Sequence, residues 1–361
     1  MNSPLSASRS LSAGHSTFTD RALSRRTLLT SVGALGLGGL LTACAGSDDE
    51  PADGRAGAST SGGPWTFKDD RGTTVRTDAT PKRIVAFVGA AAVLHDFGIE
   101  CVGVFGPTKL ENGQPDPRAG GIDVNKVTIL GNTYPQFNVE RYAALRPDLL
   151  VAQMTDPPAL WYVPEESAKK IESLAPSVGI LTTKSSLTEV IDRFTQLAAS
   201  LGADVKSAKL ATDRTIFETA SAHLRRAATR SSDRLKVMAI SATPDLMFVA
   251  NPDDFTDLRY YKSLGVDLVT PAKLSEGGFW HQLSWENADT YDADVILVDN
   301  RPGTLQPADL AKAEPTWARL PAVRAKQIFP WVNEERFSHA GYGPRIDSLA
   351  AALEKSKKTA T

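Results

Sequence analysis

Two stretches of the chain repeat one another. Phe137-Asn138-Val139-Glu140 leads eight positions on to Asp148-Leu149-Leu150-Val151, and Leu283-Ser284-Trp285-Glu286 leads eight positions on to Asp294-Val295-Ile296-Leu297. In each copy a glutamate opens a short helix and an apolar run follows, so the same helix-to-strand unit is used twice. A chain built this way folds as two lobes. Each glutamate sits where the helix dipole favours a negative charge, which leaves two roles open: helix capping or an exposed contact.

The remaining pattern agrees. Short β-branched runs recur at 83–88, 102–105, 127–130, 149–152 and 178–181, with helix-like segments such as 90–97 between them. Near-continuous apolar runs bounded by loops suit strands buried on both faces, and Gly98 and Pro147 mark helix ends. A second series follows: 235–240, 246–250, 295–299 and 327–331, closed by a helix-like segment over 343–353. Between the two series, 187–230 holds one glycine and no proline, with Ile216, Phe217, Ala220, Leu224 and Ala227 at helical spacing. Gly202 splits it, and the second helix, 203–229, would run ~40 Å, enough to bridge two lobes.

With 361 residues and 42% hydrophobic side chains, the chain can build two cores. A formal charge of -2 argues against nucleic acid as a partner. Two cysteines, Cys44 and Cys101, exclude a disulfide framework and a four-cysteine metal site. Cys101, in an apolar run, reads as core rather than as a reactive thiol.

The first 63 residues read as an address and a tether. Arg25-Arg26 precede the apolar stretch 32–41, which is short of the ~20 residues a membrane-spanning helix needs. Leu41-Thr42-Ala43-Cys44 resembles a bacterial lipobox, so residues 1–43 form a signal peptide and Cys44 becomes the lipidated N-terminus. Its removal takes Arg9, Arg21, Arg25, Arg26 and Asp20, leaving a mature charge of about -5. The paired arginines resemble a twin-arginine export signal, with ordinary secretion as the alternative. Residues 44–63 are small and polar, as in a flexible linker.

Over 64–355 the sequence resembles the siderophore-type (helical-backbone, class III) substrate-binding lipoproteins of ABC iron importers. The resemblance rests on Thr80-Pro81-Lys82-Arg83-Ile84-Val85, on Leu145-Arg146-Pro147-Asp148-Leu149-Leu150, on the Leu201-Gly202 break, and on the run from Leu320 to Phe329. It implies an α/β fold of two Rossmann-like lobes joined by a long rigid α-helix, with the ligand cleft between them. The N-terminal lobe would cover 64–186, the connecting helices 187–230 and the C-terminal lobe 231–361. The implied function is to capture a ferric siderophore outside the cytoplasm and deliver it to an ABC permease. The protein would be a monomer on the outer face of the membrane, held by its lipid. One exposed acid per lobe docks onto the permease in that family, and the matching residues here are Glu140 and Glu286.

A cleft for a bulky chelate should offer flat side chains and guanidinium groups rather than direct metal ligands, because the iron arrives coordinated. The ligand-binding candidates, at strand ends and in the loops after them, are Phe105, Tyr134, Met154, Trp161, Tyr162, Trp280, His281, Arg301, Trp331, Arg336 and Phe337. Trp161-Tyr162 and Trp280 lie in turn-rich segments. Arg301 reads equally as an anion contact or a surface residue, Arg336 as a ligand contact or a member of an internal salt bridge, and Met154 as packing. No cofactor, resident metal or catalytic residue is expected. The alternatives are a cobalamin or haem receptor on the same scaffold, an exported metal-ion receptor, for which the histidines are sparse, and a hydrolase, for which no nucleophile motif occurs.

Overall fold

The computed structural model describes residues 63–230, 234–275 and 277–359. The signal peptide, Cys44 and the linker through 62 lie outside the described residues.

A small antiparallel hairpin, β1 (Trp65–Lys68) and β2 (Thr74–Thr77), leads the fold. The first sheet follows, with β3 (Ile84–Phe87), α1 (Val88–Asp96), β4 (Gly103–Phe105), β5 (Thr128–Ile129), α2 (Val139–Ala144), β6 (Leu149–Met154), α3 (Glu165–Leu174) and β7 (Ser177–Leu181). Its strand order is β5-β4-β3-β6-β7, parallel throughout. All residues of β3 and β6 are buried, which is why these strands read as unbroken apolar runs.

Two helices follow. α4 (Leu187–Ser200) starts in a capping box, with Ser186 accepting from the Glu189 backbone and Glu189 reaching back. It buries Leu187, Val190, Ile191, Phe194 and Leu197, each worth roughly 1.5–3 kcal/mol. α5 (Ala208–Thr229) begins five residues later than the sequence pattern predicts. The Asp204 carboxylate accepts from the Lys206 backbone in a tight turn, and Ser207 caps the helix through the Leu210 N–H. The helix therefore spans 22 residues, ~33 Å.

The second sheet comprises β8 (Lys236–Ala242), β9 (Leu246–Ala250), β10 (Asp267–Leu268), β11 (Trp280–Ser284), β12 (Val295–Asp299) and β13 (Ile328–Trp331). α6 (Thr256–Ser263), α7 (Pro307–Ala313) and α8 (Pro321–Arg324) lie between strands, and α9 (His339–Lys355) closes the chain. The order is β11-β9-β8-β12-β13, with β10 beside β8. Unlike the first sheet it is mixed, because β9 runs antiparallel to β8 and β11 antiparallel to β9. The three residues joining β8 to β9 are far too few for a parallel crossover. β6 and β12, the two strands of the sequence repeat, hold equivalent places, each beside the first long strand of its sheet.

α5 touches both lobes. Near its start Lys209 Nζ donates to the Asp96 carbonyl at 3.3 Å, and at its end Thr229 meets Gly265. Phe217 packs on Tyr260 of α6 and His339 of α9. At Gly343 a Cβ would stand 3.1 Å from Ile216 and 3.4 Å from the Phe217 backbone, so glycine favours this close approach of α5 and α9. A second seam joins Thr182 and Lys184, just past β7, to Asp254 and Thr256, where Thr256 Oγ1 donates to the Thr182 carbonyl at 2.7 Å. Burial, and then the Glu100 charge, push the Cys101 thiol up to about 12, which disfavours its thiolate form.

Candidate ligand cleft

The carboxyl ends of β6 and β7 in the first lobe face those of β12 and β13 in the second. Between them lies a cavity of about 300 Å³ lined from both sides: Gln153, Thr155, Trp161, Thr182 and Thr183 on one, Phe255, Asp257, Phe279, Trp280, Arg301 and Glu334 among those on the other. Trp161 is shared with a larger apolar shelf of about 730 Å³ on the first lobe, walled by Tyr134, Leu160, Tyr162 and Val163.

The aromatic residues form two chains of ring contacts. On the first lobe Tyr134, Tyr162 and Trp161 meet edge to face, with centroids 6.0 and 5.5 Å apart. Trp161 and Tyr134 are among the exposed large hydrophobic side chains. Tyr162 holds a left-handed backbone, φ 63°, and its ring rests on Phe87. Burial raises its phenol, and the charge of Glu334 raises it further. On the second lobe Phe255 is the hub, 4.8 Å from Trp280, 5.0 Å from Trp331 and 5.6 Å from Phe279.

Charge is concentrated on two arginines, one per lobe. Arg118 lies in a 3-10 turn, 117–119, opened by Asp116, and Arg301 follows β12. Each is gripped by the aspartate two residues before it: Arg118 Nε and Nη2 donate to Asp116 at 2.8 Å, and Arg301 Nη2 to Asp299 at 2.7 Å. Glu334 spans the two, with Oε2 accepting from Arg118 Nη1 at 2.9 Å and Oε1 from Arg301 Nη1 at 2.7 Å. Burial opposes the charge on both arginines, but the carboxylates outweigh it and raise both guanidiniums above their ordinary value. Asp257 lies on the cleft wall and accepts from Trp331 Nε1 at 2.7 Å; burial lifts its carboxyl to about 6.

Of the sequence candidates, Trp161, Trp280, Arg301 and Phe337 border the cleft, and Tyr134 and Tyr162 border the shelf. Five are corrected. Phe105 is fully enclosed between Phe87 and Phe137, and Met154 is enclosed against Gly179 and Leu160, because both sit on strands covered on both faces. Trp331 is 2% exposed and supports Trp280 and Phe255 from behind. His281 neighbours Trp280 on a strand, so its side chain leaves by the opposite face and meets Tyr291 at 2.8 Å. That segment, expected as a loop, is β11, paired with β9. Arg336 does form the internal salt bridge, to Glu335 at 3.0 Å and to Asp96 at 2.7 Å.

Sequence reasoning missed Arg118, Asp257 and the bridging role of Glu334. Asp116-Pro117-Arg118 carried one usable signal, an N-cap aspartate followed by proline at the first helical position. Nothing local marks Glu334 as its partner, 216 residues away. Among the described residues no group of three or more His, Cys, Asp or Glu is arranged to hold a metal ion. The cleft wall presents ring faces, hydroxyls and the Arg301 guanidinium.

Glu140, in the first turn of α2, and Glu286, in the 3-10 turn 285–287, are both exposed. Neither carboxylate has a hydrogen-bond or ion-pair partner among the described residues. The α2 cap is Asn138, not Glu140.

Residues 93–334 match the model of a family described as periplasmic binding protein. Among solved structures the chain is similar to DesE, a ferric-siderophore receptor protein from Streptomyces coelicolor, with 47% identity, a TM-score of 0.77, and coverage of 82% of this chain and 99% of that one. It is 24% identical over 295 residues to the Fe(3+)-citrate-binding protein YfmC of Bacillus subtilis, covering 80% of this chain and 86% of that one. Staphylococcus aureus SirA complexed with staphyloferrin B shares the fold, with a TM-score of 0.56 at 20% identity over 81% of this chain and 99% of that one.

Proposed function

The chain belongs to the periplasmic binding protein family, and on that premise we propose that it is the extracytoplasmic receptor of an ABC importer, capturing a ferric siderophore and handing it to the permease. Binding rather than turnover is its activity. The observation that carries this reading is the composition of the cleft: the exposed ring of Trp161 and the half-buried ring of Trp280 from opposite lobes, with the Arg301 guanidinium on the wall and the Arg118 guanidinium hydrogen-bonded to the wall residue Glu334. Rings and N–H donors suit the outer surface of a chelate whose metal is already enclosed. The likeness to a ferric-siderophore receptor over nearly all of that protein's length supports the same ligand class.

Delivery needs a face the ligand does not use. Exposed Glu140 and Glu286, one per lobe and without partners among the described residues, would supply it by meeting cations on the permease. The lipobox ending in Cys44, the linker after it and the paired arginines support export and a lipid tether. The receptor would act as a monomer.

Titration of the protein's tryptophan fluorescence tests this. Ferric chelates of the hydroxamate, catecholate and citrate types, their iron-free forms, cobalamin and haem make the panel. Saturable quenching by a ferric chelate at far lower concentration than by its iron-free form is expected. Saturation by cobalamin or haem alone would overturn the ligand class.

A further inference from the structure

The proposal below rests on the receptor reading and concerns the charge of the cargo. Arg118 and Arg301, the cation of each lobe nearest Glu334, stand against Asp116, Asp299 and Glu334, all within hydrogen-bond distance. Asp257 adds a further acidic group on the wall. At the rim Lys184 faces Asp254 at 3.9 Å, and on the shelf Glu172 meets Arg71 at 3.1 Å while Glu165 stands nearby. The cavity thus has the Arg301 guanidinium on its wall and the Arg118 guanidinium bonded to the wall residue Glu334, without an excess of positive charge.

The guanidiniums are nevertheless not exhausted as donors. Each has five N–H groups. For Arg118, Nε and one N–H of Nη2 go to Asp116 and one of Nη1 to Glu334; for Arg301, Nε and one N–H of Nη2 go to Asp299 and one of Nη1 to Glu334. One N–H remains on each Nη. Such a site offers hydrogen bonds to oxygen acceptors while presenting no net attraction to a polyanion, which would instead meet three carboxylates held in place.

We propose that Glu334 is the charge selector of the cleft: added to Asp116 and Asp299, which already balance Arg118 and Arg301, it makes the cluster net negative, so that the cleft admits ferric chelates of zero or positive net charge and refuses polyanionic ones. It is the one carboxylate shared between the arginines of the two lobes. Its removal therefore leaves each guanidinium with its own aspartate and unmasks one N–H on each.

The test uses ferrichrome, an uncharged ferric tris-hydroxamate, ferric enterobactin, a tris-catecholate of charge about -3 by its ligand count, and ferric citrate. Binding by tryptophan quenching is measured for the wild type, Glu334→Gln and Glu334→Asp, with thermal unfolding run on all three. In the wild type ferrichrome should bind at least 100-fold more tightly than ferric enterobactin or ferric citrate. In Glu334→Gln that ratio should fall at least tenfold, and in Glu334→Asp, which keeps the charge, it should be retained. A wild type that binds ferric enterobactin as tightly as ferrichrome overturns charge selection and leaves the receptor reading standing, as does an unchanged ratio in a folded Glu334→Gln. A wild type that binds none of the three chelates overturns the ferric-chelate reading on which the proposal rests.

Discussion

Arg336 and Asp96 tie one lobe to the other: Arg336 Nε, beyond β13, donates to Asp96 Oδ2, at the end of α1, at 2.7 Å. Ser338 Oγ donates to the same oxygen, and Glu335 steadies the guanidinium at 3.0 Å. Together with the Arg118–Glu334 bridge, the Thr182–Thr256 seam and α5, this ties the lobes at several separate places. Lobes held this way tilt little, because moving one against the other breaks charged bonds at largely buried carboxylates.

Arg336→Ala should therefore act on stability before affinity. It removes one partner of a carboxylate that is only 10% exposed, a loss of about 1–3 kcal/mol. Denaturant unfolding should show that loss, and the chelate Kd should change less than in Trp280→Ala. A larger effect on binding than on unfolding would return Arg336 to the ligand site.

Asp257 should make stability depend on pH. Its carboxyl is raised by burial from 3.8 to about 6, so folding favours its protonated form. The favourable contribution is complete below pH about 4 and is lost as pH rises through about 6, costing on the order of 1–3 kcal/mol at neutral pH. Asp257→Asn keeps an acceptor for Trp331 Nε1 and removes the charge. It should unfold at higher temperature than the wild type at pH 7.5, with the difference shrinking toward pH 4.5. Equal midpoints at both pH values would contradict the burial of a charge there.

The fold was readable because its signals are local. The apolar run of β6 or β12 needs no knowledge of the rest of the chain, and the repeat that contains them marks equivalent strands of two sheets. The cleft was readable only where a residue type carries its own meaning, as with Trp161 after Asp156-Pro157-Pro158. Strand ends defeated the same logic: Phe105 and Met154 close strands covered on both faces, and sequence cannot say whether a terminal apolar side chain turns into the core or into a cleft. Strand alternation, invisible until β11 was paired with β9, separated Trp280 from His281. The Arg118–Glu334–Arg301 bridge depends on the relative placement of two lobes, which no spacing encodes.

Trp280 offers the cleft a partly exposed face whose other contacts are Phe255, Phe248 and Trp331. Trp280→Ala should weaken the ferric chelate that quenches the wild type by about tenfold, ~1.4 kcal/mol, while Trp280→Phe recovers part of it. Thermal unfolding of the two variants separates binding from support. If Trp280→Ala melts far below the wild type yet binds normally, the ring belongs to the core.

Glu140 and Glu286 should matter only when the permease is present. Each is exposed and without a partner among the described residues, and each opens the helical turn before an equivalent strand, β6 or β12, so the two lobes present one carboxylate apiece from matching positions. A single exposed ion pair contributes ~0–1 kcal/mol, which makes two of them poor glue but effective guides, since charges on both lobes fix orientation and speed encounter. Such steering weakens as salt rises and the Debye length shortens. The double variant Glu140→Ala/Glu286→Ala should keep the chelate Kd and unfolding midpoint of the wild type, while uptake of the iron-55 chelate by cells falls several-fold and loses most of its salt dependence. Each single variant should lie between. Uptake at the wild-type rate by the double variant would remove both residues from docking, whereas a parallel loss of chelate affinity would place them in the cleft.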